Sequence, residues 1–139
     1  MRVSPRFLVL IALCAHASTV AAAPLPRHEV PFPDILGLKT LKCDFHTHTV
    51  FSDGQVWPTT RIDEAWREGF DGIAITDHIE YKPHKDDVST DDNRPYEIAA
   101  PQAQKAGLLL FRGSEITRST PPGHYNAVFT NDNHPLVKD

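Results

Sequence analysis

Six side chains in this sequence are of the types that hold divalent cations, and each stands where a run of apolar residues gives way to polar ones or begins. They are His46 and His48, Asp53, His78 next to Asp77, Glu115, and His124. On an extended segment, residues two apart share a face, so His46-Thr47-His48 would present both imidazoles together. Two neutral imidazoles make a clamp suited to zinc, iron or nickel, and added carboxylates suit harder ions such as manganese. Taken singly these signals are weak, because a His-x-His is a common accident and Thr76-Asp77-His78 also reads as a surface turn. Glu115 is more specific, since a carboxylate following an apolar strand is costly unless paired. Together they predict a metal site. No G-x-S-x-G elbow and no Walker loop occurs in the chain.

The elements needed to carry these groups can be read from the pattern. A short strand over residues 40–45 leads into the His-x-His, and Ser52-Asp53-Gly54 marks a turn. A helix capped by Thr59 or Thr60 runs to about Glu68, with Ile62, Ala65 and Trp66 on one face, Asp63 and Glu64 in its first turn, and Gly69 as its stop. A buried strand over 70–76 delivers Asp77 and His78. Residues 81–95 form a long polar loop whose Asp86, Asp87, Asp91 and Asp92 read as solvated surface. A second helix covers 96–106, irregular at Pro101 and ended by Gly107. The apolar strand 108–112 precedes Gly113-Ser114-Glu115, and a fourth strand is expected over 123–130. Apolar strands alternating with amphipathic helices predict an α/β fold with parallel strands. In an α/β barrel, functional groups gather at the C-terminal strand ends.

The chain has 139 residues and a net charge of −4, enough for one domain. This balance excludes a basic nucleic-acid footprint. Residues 1–23 read as an export signal: Arg2 and Arg6, an apolar run over 7–15 too short to span a bilayer, then small residues with A-x-A-like cleavage sites. No stable membrane anchor is therefore expected, and the location implied is periplasmic or extracellular. Cleavage would remove Cys14 and leave Cys43 without an internal disulfide partner; a buried, inert thiol on a strand is its expected role, with a ligand or nucleophile as the alternative. Residues 24–39 form a proline-rich lead-in, and 40–139 the metal-hydrolase domain.

Asp44-Phe45-His46-Thr47-His48, Ser52-Asp53-Gly54, Ile75-Thr76-Asp77-His78, Gly113-Ser114-Glu115 and Gly123-His124-Tyr125-Asn126 resemble, in order and context, the opening motifs of the PHP (polymerase and histidinol phosphatase) family over residues 42–130. The resemblance implies a distorted seven-stranded (β/α) barrel and a phosphoesterase with up to three divalent ions of zinc, manganese or iron. It implies that His46 and His48 hold one metal, that Glu115 bridges two, that Asp53 and His78 serve a third, and that His124 serves the second. Asp77 has no metal role in that comparison and reads as an acid that orients a neighbouring ligand. The family's later strands supply another His and a final Asp-x-His, absent here, so the expectation is the N-terminal part of a barrel, truncated and inactive by itself.

The function expected is hydrolysis of a small phosphate ester by metal-activated water. Arg118 is a candidate phosphate clamp, with an ordinary surface residue as the alternative. Arg112 is expected in a structural ion pair. His84 and Lys85 read as solvated loop residues, Tyr125 and Asn126 as either site support or packing, and His134 as part of a polar turn. Competing readings are an amidohydrolase-like enzyme acting on amides and a non-catalytic metal-binding remnant. A polymerase-associated module conflicts with the export signal.

Overall fold

The computed structural model describes residues 26–118 and 123–136; the export signal and the start of the lead-in lie outside them. The elements are β1 (Cys43–Thr47), α1 (Pro58–Arg67), β2 (Gly72–Ile75), α2 (Arg94–Ala106), β3 (Leu109–Thr117) and β4 (His124–Val128), followed by a single 3-10 turn at His134–Leu136. The strands form one sheet in the order β1-β2-β3-β4. β1, β2 and β3 run parallel, joined by crossovers through α1 and α2, and β4 turns back antiparallel to β3.

Both helices cover the same face of the sheet. Ile62 and Ala65 of α1 and Ala99 and Ala103 of α2 pack with Ile73, Ile75 and Leu108 as the core. The opposite, concave face carries aromatic rings. Phe45, Phe111 and Phe129 meet in a trio with centroids 5.0–5.5 Å apart, and Phe45 joins β1 to the end of β4 across the curl of the sheet. A Cβ on Gly72 would stand 2.9 Å from the Phe111 ring and 3.1 Å from the Cys43 sulfur, so this side of β2 is filled by its neighbours. Cys43 is half-buried, and its thiol pKa is raised by burial first and by the nearby Asp71 second, which suits an inert thiol.

Several boundaries differ from expectation. β1 begins three residues later, at Cys43, and carries a bulge between Asp44 and Thr47. The extra residue breaks strict alternation, so Phe45 joins the aromatic trio while the adjacent His46 reaches Glu115. α1 is not capped by a threonine side chain: Trp57 stands at its N-cap and Pro58 opens it, because proline's fixed φ suits the first turn. Asp63 and Glu64 therefore lie beyond the first turn. α2 starts at Arg94 and runs unbroken through Pro101 to Gly107, whose φ of 70° ends it. β3 is longer than its apolar run, since Gly113, Ser114 and Glu115 continue it against β4. Among the described residues Arg112 does not form the expected ion pair; its guanidinium stacks on the Tyr96 ring at 4.3 Å.

The loop between β2 and α2 is tied down rather than merely solvated. Lys82 pairs with Asp92, and His134 bridges Asp91 (2.9 Å) and Asp132 (3.1 Å). The lead-in is anchored as well. The Arg27 guanidinium donates to the Trp66 and Phe70 carbonyls, and the His28 amide donates to Arg67 directly over Gly69. A Cβ at Gly69 would lie 2.0 Å from the His28 oxygen.

Candidate metal centre

Glu115 sits in β3 with 3% of its side chain exposed, facing the ends of the neighbouring strands. Just past β2, the chain pairs on with β3: the Glu115 amide donates to the Asp77 carbonyl and the Ile79 amide to the Glu115 carbonyl. Successive side chains on this extension point opposite ways, so His78 faces Glu115 while Asp77 turns toward the loop after β1. The β3–β4 hairpin aligns Thr117 with His124 and brings His124 back to the same carboxylate.

The result is one carboxylate among four imidazoles. Glu115 Oε2 lies 2.8 Å from His46 Nε2 and 3.1 Å from His48 Nε2. Oε1 contacts His124 Nδ1 closely and lies 3.6 Å from His78 Nδ1. Asp53 adds a second carboxylate, 3.2 Å from His48 Nδ1 and 3.5 Å from His78 Nε2. The His48 ring stands 4.6 Å from that of His78 and 5.0 Å from that of His46. All six sequence-predicted metal residues thus converge. Arg118 lies at the rim, 3.7 Å from Glu80. Tyr125 and Asn126 are exposed on β4.

The electrostatics favour metal-ready protonation states. Burial alone would raise the Glu115 pKa, but bonds from His46 and His124 and the nearby His78 and His48 bring it below the usual value. Asp53 behaves the same way: burial pushes its pKa up, and the adjacent His48 and His78 rings with a backbone hydrogen bond more than reverse it. Burial lowers the His48 pKa, and the Asp53 carboxylate only partly offsets that, so the ring is held neutral as a ligand must be.

Four residues support these groups, and the sequence marked only Ser52 among them, as part of a turn. Thr49 and Ser52 donate to Asp77, Thr117 bonds His78 Nδ1 at 2.6 Å, and Arg61 of α1 donates to the His48 carbonyl at 2.8 Å. Thr49, Ser52 and Thr117 signal themselves only as small polar side chains inside or beside the motifs, and Arg61 of α1 carries no such signal. Gly54 closes the loop: a Cβ there would lie 2.4 Å from the His48 carbonyl atoms, so only glycine fits.

No family model matches the chain. An uncharacterized protein of Methanocaldococcus jannaschii is 44% identical over 83 residues, which is 58% of this chain and 36% of that protein. A two-domain protein from Bacteroides vulgatus, containing a predicted PHP-like metal-dependent phosphoesterase, has a crystal structure that matches with a TM-score of 0.79 at 57% identity. The match covers 81% of this chain and 33% of that one. Most of this chain thus resembles a solved structure that contains a predicted PHP-like metal-dependent phosphoesterase. The chain spans about a third of the length of these two proteins. A structure from Bifidobacterium adolescentis, described as a candidate metal-dependent phosphoesterase, is 29% identical over 65% of this chain and 27% of its own, with a TM-score of 0.48.

Within this site, three overlapping triads have ligand atoms within 4.8 Å of one another: His46/His48/Glu115, His48/Asp53/His78 and His78/Glu115/His124. This donor set of imidazole nitrogens and carboxylate oxygens fits divalent zinc, manganese or iron. Glu115, His48 and His78 each belong to two triads. Among the described residues no helix is long and apolar enough to cross a membrane.

Proposed function

We propose that this chain forms the metal-holding part of an exported, metal-dependent phosphoesterase that hydrolyses a small phosphate ester. The observation that carries the reading is the convergence of three overlapping ligand triads, two of which share the buried Glu115. Bound divalent ions would supply Lewis acidity toward phosphoryl oxygen and a water of lowered pKa. Glu115 would serve two metal positions at once, His46 and His48 one of them, His124 the other, and Asp53 with His78 a third. The likeness to a protein containing a predicted PHP-like phosphoesterase supports phosphate esters over amides as substrate.

Arg118 serves as the phosphate clamp in this reading, exchanging Glu80 for substrate oxygens. Export rests on the order of charged, apolar and small residues over 1–23. The His46 and His124 side chains are 54% and 58% exposed and the Phe129 ring stands open, so the concave face has room for further strands. We therefore propose that the chain by itself holds metal weakly and turns over slowly, and that a longer barrel is the efficient enzyme.

Phosphate release from an aryl phosphate with added manganese or zinc tests the reading. A polypeptide carrying the remaining strands should be active, Glu115→Gln should abolish the activity, and Arg118→Ala should raise KM. Metal uptake without release from any phosphate ester would overturn it in favour of amide hydrolysis or a non-catalytic remnant.

A further inference from the structure

Asp77 is 5% exposed and touches no metal-facing atom, yet every donor around it comes from the loop that carries His48 and Asp53. Oδ1 accepts the Thr49 amide at 2.7 Å and the Ser52 hydroxyl at 2.6 Å, and Oδ2 accepts the Thr49 hydroxyl at 2.7 Å. The Thr49 oxygen in turn accepts the Phe51 amide at 3.2 Å. The four residues 49–52 are thereby folded around one carboxylate.

The chain of donors has a direction. Asp77 as a carboxylate can only accept, so the single Ser52 proton is committed to it at 2.6 Å, in preference to Asp53 at 3.4 Å. The Ser52 oxygen then has only lone pairs to offer His48 Nδ1, 3.3 Å away. Asp53 Oδ1 presents a second acceptor to the same nitrogen at 3.2 Å. Nδ1 thus faces two acceptors, and Nε2 faces a third, Glu115 Oε2, at 3.1 Å. A cation held between Nε2 and Oε2 takes the Nε2 lone pair and leaves the single proton of the neutral ring on Nδ1, donated to Ser52 and Asp53.

We infer that Asp77 is a positioning residue: acting through Ser52 it fixes the His48 proton on Nδ1 and turns Nε2 to the metal, and acting through Thr49 and Ser52 it holds the loop that presents Asp53. This inference rests on the metal-centre reading and assigns the orienting group that the ligand triads lack in themselves. It requires no contact between Asp77 and substrate.

The test uses the whole chain with 15N-labelled histidine, loaded with zinc and at near-neutral pH. Long-range proton–nitrogen correlation distinguishes a protonated from a bare ring nitrogen. Wild type should show His48 with Nδ1 protonated and Nε2 without a proton. Ser52→Ala should mix the two tautomers and lower zinc affinity on the order of 10-fold, and Asp77→Ala should lower it by about 10- to 100-fold. Asp77→Asn keeps a carbonyl at the Oδ1 position for both Ser52 and Thr49, so it should restore tautomer and affinity to within a few-fold of wild type. If Asp77→Ala does not fold, Ser52→Ala decides, since it removes one hydroxyl and no packing volume. A bare Nδ1 in wild type, or variants with unchanged His48 signals and unchanged zinc affinity, would overturn the inference while leaving the metal centre standing. A wild-type chain that takes up neither zinc nor manganese would overturn the metal-centre reading and this inference with it.

Discussion

His134 and His48 each lie between two carboxylates at nearly the same distances. His134 meets Asp91 at 2.9 Å and Asp132 at 3.1 Å; His48 meets Asp53 at 3.2 Å and Glu115 at 3.1 Å. Their pKa values nevertheless move in opposite directions. The Asp91 bond raises that of His134, which stands in solvent, whereas burial lowers that of His48, and the neighbouring His78 ring pushes the same way. Contact with carboxylates alone does not decide the charge on an imidazole. Exposure and adjacent imidazoles do. One cluster is a clamp between a loop and the chain after β4, with the histidine as its cation; the other disfavours charge on His48 and leaves room for a cation from outside.

The contrast breaks most decisively at Glu115, which belongs to two ligand triads. Glu115→Gln should weaken zinc or manganese binding by about 100-fold or more, above the 10- to 100-fold usual for a group that only supports a ligand. Titration calorimetry reads it. Unchanged stoichiometry and affinity would place the metal elsewhere and remove the distinction between the clusters. Lowering the pH should also release metal from the wild type, because protonated imidazoles cannot ligate.

A smaller effect is expected at Gly54. The methyl group of Gly54→Ala would collide with the His48 carbonyl, and overpacking of this kind costs about 1–3 kcal/mol. Chemical denaturation should show the loss, and metal affinity should fall with it, because the displaced loop carries Asp53.

The smallest effect belongs to His134→Ala, and its sign with pH is fixed. The raised folded pKa of His134 means that its contribution is present below the ordinary value near 6.5 and is lost as pH rises through the folded value. The lowered values of Asp91, held first by the Asn93 amide, and of Asp132, held first by the Asn93 side chain, mean that theirs is lost as pH falls below the ordinary 3.8. The wild type should therefore melt above His134→Ala between about pH 4 and 6.5, with the gap closing in mild alkali. A gap that widens with pH would show that the clamp does not rely on a charged histidine.

Much of the fold could be read from the chain because apolar runs and glycine stops report on local structure. Gly107, expected to end the second helix, does so at positive φ, and the wholly buried β2 is the most apolar stretch of the centre. Reading failed where tertiary contacts outvote local pattern. Glu115 lies inside β3 because pairing with β4 and with the chain beyond β2 satisfies its backbone, which an apolar run cannot reveal. The bulge in β1 is equally silent, since it depends on register with β2. Ligand types were legible and their supports were not: the Ser52–Asp77 bond spans 25 residues, and no spacing rule connects a serine in a turn to an acid at the end of the next strand. His134 was read as part of a polar turn for the same reason, its partner Asp91 lying 43 residues away.

The hairpin of β3 and β4 bears on the order in which the site assembles. His124 meets Glu115 across nine positions of sequence, whereas His46 reaches the same carboxylate across sixty-nine. For an unstructured chain the longer closure costs about 2 kcal/mol more in entropy. During refolding the Glu115–His124 half should therefore gain amide protection first. The His46–His48 half should follow only after β2 has paired on both sides, so chelator-resistant metal uptake should trail hairpin formation.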